Sequence, residues 1–249
     1  DFQLELVKMD RFDMLFNDND KDVSKTALSQ NPHLTTDQID LLYSTENVDK
    51  DYLAQNSKLT DEQFNRFFND KDVSKPNLSQ NPHLTTDQID LLYSTENVDK
   101  DYLAQNSKLT DEQFMRFFND SDVNKNRYLA MNSHLTTEQI DLLYSTEGVD
   151  KDYLARSSQL TDEQFTRFFN DEGVNKDYLS VNPNLTTEQI DLLYSTKGVD
   201  KDYLAQNSKL TDEQFTRFFN DEGVGKNYLA QNPNLTTEQI DLLYSTKGV

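Results

Sequence analysis

Large apolar side chains recur along this chain in clusters with the spacing i, i+3, i+4, each followed by a shorter apolar pair. The first clear cluster is Ile39, Leu42 and Tyr43, and the pair that follows it is Tyr52-Leu53. The cluster spacing places its side chains on one face of an amphipathic helix, and the pair predicts a second, shorter helix. Alternating apolar and polar runs are missing, so we expect no β-strand.

Two kinds of repeat alternate along the chain. Leu repeats carry the Ile-Leu-Tyr cluster, whereas Phe repeats carry Phe64, Phe67 and Phe68 or their copies. Each repeat is about 25 residues long and the true period is about 50, which is typical of a stacked array. The sequence therefore predicts an all-α superhelical solenoid over residues 34–249, with residues 1–33 as an irregular N-terminal capping repeat. The predicted repeats start at Leu34, Leu59, Leu84, Leu109, Leu135, Leu160, Leu185, Leu210 and Leu235.

The start of each long helix carries a capping-box pattern. Thr35 is the expected N-cap and Gln38 is its partner three residues later, so the first long helix should run from about 36 to 45. Asp49 is the expected N-cap of the following short helix, which is α-helical or 3₁₀-helical.

Residues that tolerate the left-handed conformation follow each long helix. They are Asn47 and Gly198 in Leu repeats, and Asp72 and Gly173 at the same position in Phe repeats. We expect a left-handed residue to end every long helix.

The repeats are nearly identical, and their spacing is broken only once. Residues 20–64 and 70–114 differ at two of 45 positions. One extra residue lies near Asn126 and Arg127, where we expect a linker to absorb it. Because the chain stops at Val249, halfway through a repeat, we expect it to be part of a longer array.

The short-helix segment resembles a known repeat family. The run 53–56, Leu-Ala-Gln-Asn, is preceded by Val48 and followed by Ser57 or, in other copies, by Pro183 and Pro233. With a longer helix between successive copies, this pattern resembles the variant leucine-rich repeat. The resemblance implies a superhelix in which α-helices alternate with short 3₁₀ helices, and it implies no catalytic residues.

The charge balance favours one class of partner. The chain has 45 acidic and 24 basic residues, for a net charge of −21. This balance argues against binding nucleic acid or an anionic membrane and favours a basic protein as partner.

There are no cysteines, which excludes disulfides and zinc-thiolate sites. No apolar run approaches the roughly 20 residues of a membrane span, and no leader pattern is present, so we expect a cytoplasmic protein.

Candidate catalytic and metal-binding residues are hard to find, because almost every polar residue recurs in each repeat. We therefore expect a protein that is not an enzyme and that has no catalytic residues, cofactor or metal site. The segment 120–124 begins like a calcium-binding loop, but Lys125 replaces the required Gly and Met131 replaces the required Glu. A helix-capping turn explains it better.

One position alternates between Leu and Arg, as in Leu41, Arg66, Leu91 and Arg116. We expect each guanidinium to meet Asp40 or one of its copies across the stack, with the arginine stem covering neighbouring leucines. The alternative is a repeated contact stripe for a partner, since arginine is favoured at interfaces.

The acidic residues give the strongest functional signal. We predict a non-enzymatic binding or scaffold module that presents an elongated acidic surface to a basic protein. The alternatives are a structural spacer or assembly component, and a DNA mimic, which would require the carboxylates to gather on one face. An acidic face can also serve solubility alone. The candidate protein-binding residues are Asp49, Asp51, Asp61, Glu62, Asp99, Asp101, Asp150, Asp152, Asp200 and Asp202.

Overall fold

The computed structural model describes Phe16 and residues 25–157, 159–207 and 209–245, so most of the predicted capping repeat 1–33 lies outside the described residues. In these ranges the chain forms eighteen helices and no strand, which confirms the predicted all-α repeat fold. The short helices are α1 (Lys25–Ser29), α3 (Lys50–Asn56), α5 (Lys75–Ser79), α7 (Lys100–Asn106), α9 (Lys125–Leu129), α11 (Lys151–Ser157), α13 (Lys176–Ser180), α15 (Lys201–Asn207) and α17 (Lys226–Ala230). The long helices are α2 (Thr36–Tyr43), α4 (Asp61–Asn69), α6 (Thr86–Tyr93), α8 (Asp111–Asn119), α10 (Thr137–Ser145), α12 (Asp162–Asn170), α14 (Thr187–Ser195), α16 (Asp212–Asn220) and α18 (Thr237–Ser245).

The predicted capping boxes form. The Thr35 hydroxyl accepts the N–H of Gln38 at 3.3 Å, and the Gln38 side-chain oxygen accepts the N–H of Thr35 at 3.0 Å. The same pair of bonds begins each of the other long helices in the described part of the chain. Two backbone donors that a helix leaves unpaired are thereby satisfied in every repeat.

The core is shared between neighbouring repeats. The chain divides at Val123 into an N-terminal and a C-terminal half, and each half has its own core. In the N-terminal half Leu42 and Phe67 of the long helices are fully buried, as is Leu53 of a short helix. Short helices pack on the short helices of the next repeat, α3 on α5 and α5 on α7 in this half, and α11 on α13, α13 on α15 and α15 on α17 in the other. No repeat could bury its apolar face alone, because that face is covered by its neighbours.

The turn after the long helix of a Leu repeat contains the expected left-handed residue. The φ angles are 61° at Asn47 and Asn97, 82° at Gly148 and 90° at Gly198. In the C-terminal half, the N–H of Val199 donates to the carbonyl of Thr196 at 3.4 Å, so Gly198 is the third residue of a turn. A positive φ at that place is what a type II turn requires.

For the Phe repeats the same prediction was wrong. Asp72, Asp122, Gly173 and Gly223 do not have positive φ. The long helix ends instead at an extended Asp70, whose Oδ1 accepts the N–H of Asp72 at 2.9 Å and whose carbonyl accepts the N–H of Val73 at 3.3 Å. Because the aspartate side chain satisfies the turn, no left-handed residue is needed.

The extra residue near Asn126 was expected in a linker, and this prediction was also wrong. It lies within α9, which is π-helical, whereas the other short helices of the described chain are α-helical. A π-helix accommodates one inserted residue by widening a single turn. The 3₁₀ helices that the family resemblance implies do not occur in the described ranges.

The positive φ at Gly198 makes a testable prediction. A Cβ built on Gly198 meets no atom within 4 Å, so Gly198→Ala should cost only backbone strain, roughly 1–2 kcal/mol of the free energy of unfolding. Gly198→Asn should be nearly neutral, because Asn47 and Asn97 already adopt this conformation. Urea unfolding followed by circular dichroism would measure both variants.

Gly173→Ala is the matched control. Its aligned positions hold Asp72 and Asp122, so the Phe-repeat turn already accepts a Cβ there. Equal losses of stability in Gly198→Ala and Gly173→Ala would contradict the distinction between the two turns.

Candidate functional site

A tyrosine joins each Leu repeat to the Phe repeat that follows it. The Tyr43 hydroxyl donates to Oδ2 of Asp70 at 2.6 Å, and the Lys50 ammonium donates to the same oxygen at 2.8 Å. The N–H of Asp72 donates to the other carboxylate oxygen, which fixes its orientation. The Asp70 side chain is only 11% exposed, so these partners replace the water that a carboxylate normally binds.

An arginine makes further contacts across the same interface. The Arg66 guanidinium forms an ion pair with Asp40 of the preceding helix, and its Cζ lies 4.2 Å from the centre of the Tyr43 ring. The Gln63 amide also donates to Asp40, at 2.8 Å. The predicted meeting of Arg66 with Asp40 is confirmed, and the tyrosine ring is a further contact that the sequence did not indicate.

These contacts shift the protonation of their members. Hydrogen bonds from Lys100 and then Tyr93 lower the pKa of Asp120 to about 2, and the equivalent contacts lower the pKa of Asp70 further. Burial and the bond to Asp70 raise the pKa of Tyr43 to about 12. The carboxylate therefore stabilises the folded state above about pH 4, and this stabilisation is lost as the pH falls through the pKa of the folded state. The tyrosine stabilises the folded state below about pH 10, and this stabilisation is lost as the pH rises from about 10 to about 12.

We call the set of five side chains formed by Tyr43, Lys50, Asp70, Arg66 and Asp40 the tyrosine network. It occurs four times in the described part of the chain, each time with a hydroxyl-to-carboxylate distance of 2.6 Å. Each copy contains one Lys, one Arg and two Asp, so each copy is electrically neutral when the tyrosine is protonated. The tyrosine and the aspartate that accepts its proton are Tyr43 and Asp70, Tyr93 and Asp120, Tyr144 and Asp171, and Tyr194 and Asp221.

The interface from a Phe repeat to the next Leu repeat is different. The position of the tyrosine is Phe68, the position of its acceptor is Thr95, and the position of the arginine is Leu91. A smaller link remains, because the Gln88 amide donates to Oδ1 of Asp61 at 3.0 Å. The strict two-repeat period is thus the period of the tyrosine network, which spans every second interface.

Most of the predicted acidic site residues have a structural task. Asp49, Asp99, Asp150 and Asp200 each accept the backbone N–H two residues further on, at 3.0–3.1 Å, at the start of a short helix. Three residues of the next acidic position each accept a backbone N–H from the following repeat at 2.7–2.8 Å: Asp51 from Ser74, Asp152 from Asn175 and Asp202 from Gly225. Burial raises the pKa of Asp152. These carboxylates stabilise the fold and remain at least partly exposed.

The other predicted residues lie in the first turn of a helix, long or short. Asp61 and Glu62 are both exposed in the first turn of α4, and Asp61 accepts the Gln88 bond. Asp101 lies in the first turn of α7, half-buried. Carboxylates in a first helical turn are stabilised by the helix dipole.

One open groove gathers several of these carboxylates in the N-terminal half. Its volume is about 770 Å³, and Asp99 and Asp101 line it together with Glu96 and Asp122, which sequence reasoning missed. Lys100 is the only cation among its lining residues, and the network already binds it to Asp120. The groove is therefore strongly negative.

The segment 120–124 is a capping turn, as expected. The Asp120 carboxylate accepts hydrogen bonds from the Tyr93 hydroxyl, the Lys100 ammonium and the N–H of Asp122. Across the described ranges, no group of three His, Asp or Glu side chains is placed to hold a metal ion. Nor does any helix in those ranges have the length and hydropathy needed to cross a bilayer.

The fold defines a helical repeat protein, and its polar groups form repeated rather than unique clusters. Comparison with protein families, with curated proteins and with solved structures gave no match. The resemblance to the variant leucine-rich repeat therefore rests on the short-helix sequence alone.

The tyrosine network predicts how stability depends on pH. Asp120→Asn should lower the free energy of unfolding at pH 7 by about 1–3 kcal/mol, because it weakens bonds to a charged acceptor. The difference from the unsubstituted protein should shrink as the pH falls from about 4 to about 2, where Asp120 itself becomes protonated. Urea unfolding at each pH, followed by circular dichroism, provides the measurement.

Asp122→Asn is the control, because that carboxylate is 78% exposed and lies 3.7 Å from Lys100. It should change stability little at any pH. A deficit of Asp120→Asn that stays constant down to pH 2 would argue against the network as the source of the pH dependence.

Proposed function

We propose that this chain is a non-enzymatic binding module that presents a repeated acidic surface to a basic protein. The supporting observation is the neutrality of the tyrosine network. Because each copy pairs one Lys and one Arg with two Asp, the network contributes nothing to the net charge of −21. The excess charge resides on carboxylates outside the network, including exposed ones such as Asp49, Asp61 and Glu62.

The repetition of these carboxylates favours binding through many weak contacts. An exposed ion pair contributes about 0–1 kcal/mol, so one repeat would bind a partner weakly. Several repeats on one chain raise the overall affinity through effective concentration. Near-identical repeats suit this mode, because every copy offers the same contact.

The proposal predicts binding that depends on both salt and repeat number. A labelled peptide rich in Lys and Arg should bind the chain, and its affinity should fall steeply between about 50 and about 500 mM salt, where the Debye length decreases from about 14 to about 4 Å. Deleting residues 160–209, one repeat pair, should leave a folded array with an affinity about two- to tenfold lower. Fluorescence anisotropy and circular dichroism would measure the two properties.

A peptide of equal length rich in Asp and Glu is the control and should not bind. Affinity that is unchanged by salt, or by the deletion in a folded array, would count against a multivalent acidic surface.

A structural spacer is the second candidate. It is favoured by the reuse of the same network at every second interface, since repeat pairs can then be added without designing a new contact. If the chain bound the basic peptide no better than the acidic one, the spacer would become the preferred function.

A further inference from the structure

Two of the interfaces that lack the tyrosine network contain an open groove between two long helices. In the N-terminal half, between α4 and α6, this groove has a volume of about 540 Å³, and Asp61, Phe64, Asn65, Asp87 and Leu91 are among its lining residues. In the C-terminal half the aligned groove between α16 and α18 measures about 380 Å³. Asp212, Phe215, Thr216, Glu238 and Leu242 line it at the same positions.

The alternation of Arg and Leu explains why these grooves are open. We call an interface that contains the tyrosine network a closed interface. In the closed interface between α2 and α4, Arg66 forms an ion pair with Asp40 of the earlier helix and covers the Tyr43 ring. The residues aligned with that ion pair are Leu91 and Asn65, and both line the open groove. A leucine is too short to reach across the interface and brings no charge, so the space that an arginine fills in one interface is unfilled in the next.

The walls of the open grooves combine exposed apolar surface with carboxylates. Leu91, Leu192 and Leu242 are 40%, 43% and 45% exposed, although leucine is usually a core residue. Each lies on a long helix whose first turn carries an exposed acidic residue, and the preceding long helix carries another. These carboxylate pairs are Asp61 and Asp87, Asp162 and Glu188, and Asp212 and Glu238. The residues lining the two measured grooves include no Lys or Arg.

We propose that each open groove receives an arginine side chain from the basic partner, in the place that Arg66 takes in the closed interface. This inference rests on the proposed function and specifies its contacts. An arginine stem would cover the exposed leucine, and its guanidinium would face the carboxylate pair. Arginine fits better than lysine, because a planar, weakly hydrated guanidinium packs on apolar surface while it binds carboxylates.

The partner is therefore a protein segment with several arginines, because the same groove recurs along the chain. The two measured grooves lie next to Leu91 and Leu242. The aligned interface next to Leu192, in the described residues of the C-terminal half, has the same exposed leucine and the same bond between its helices. In each of these three interfaces a Gln of the later helix donates to the Asp of the earlier helix, at 3.0–3.1 Å, so the two walls are held in the same way. Repeated arginines would engage repeated grooves.

The test uses variants in which an arginine of the chain itself occupies each groove. A triple variant, Leu91→Arg, Leu192→Arg and Leu242→Arg, places an arginine where the closed interfaces have Arg66 and its copies. The control triple variant, Ser94→Arg, Ser195→Arg and Ser245→Arg, adds the same charge at exposed positions near the other end of the same helices. Fluorescence anisotropy would measure binding of a labelled peptide whose arginines are separated by Gly-Ser spacers, and of the same peptide with lysines.

The groove variant should bind the arginine peptide about tenfold more weakly than the control variant, because three contacts of modest strength are lost together. The unsubstituted chain should prefer the arginine peptide to the lysine peptide. Equal binding by groove and control variants, or no preference for arginine, would overturn the groove proposal.

A second pair of variants tests the proposal independently, in case the first pair does not fold. Asp87→Asn, Glu188→Gln and Glu238→Gln remove the carboxylates of one wall, whereas Asp72→Asn, Glu172→Gln and Glu222→Gln remove three exposed charges after the other end of the long helices. The first set should weaken arginine-peptide binding several-fold more than the second. If the unsubstituted chain bound neither peptide at low salt, the proposed function would fail as well. Salt-sensitive binding that is equal in all variants would overturn only the grooves.

Discussion

The contact on which the arrangement depends is a tyrosine hydroxyl that meets a nearly buried aspartate of the next repeat. Tyr43 donates to Asp70, and the charge of this carboxylate is balanced by Lys50, the first residue of the short helix α3. The aromatic ring in turn offers its face to Arg66, whose charge is balanced by Asp40. A single polar group placed at a repeat interface thus requires a whole set of partners, since leaving any of them unpaired would cost more than the contact contributes.

The requirement for a complete set explains why the chain alternates so strictly. A Phe repeat has no tyrosine hydroxyl at the interface with the next Leu repeat, so Phe68 there needs no acceptor, and Thr95 and Leu91 stand where Asp70 and Arg66 would be. A repeat in which only one of these positions was exchanged would carry an unpaired charge or hydroxyl. Exchanges that occur as a complete set preserve stability, which favours copying the pair of repeats and not the single repeat.

The sequence predicted local features well, because the residues that determine them are close together. Thr35 and Gln38 cap a helix through bonds between residues three positions apart, and Asn47 and Gly198 tolerate the positive φ of their turn. Gly173 misled the same argument, because the turn of the Phe repeat is decided by the Asp171 side chain, which accepts the N–H of Gly173 at 2.8 Å. Glycine permits a left-handed conformation and does not require it.

Contacts between repeats were harder to predict. The meeting of arginine and aspartate followed from helix-face geometry, but the bond from Tyr43 to Asp70 joins residues 27 positions apart, and neither looks unusual among so many tyrosines and aspartates. Sequence reasoning identified the alternating Leu and Arg position as a candidate contact stripe but missed the open grooves, because the space between two long helices depends on side chains from both repeats. The period of the sequence contained the relevant information, because an Arg that alternates with Leu on one helix face implies two kinds of interface.

We infer that this alternation couples stability to binding. The arginine interfaces hold neighbouring repeats together, and each added pair of repeats also adds one open groove. Under the proposed function, valency would then increase with length.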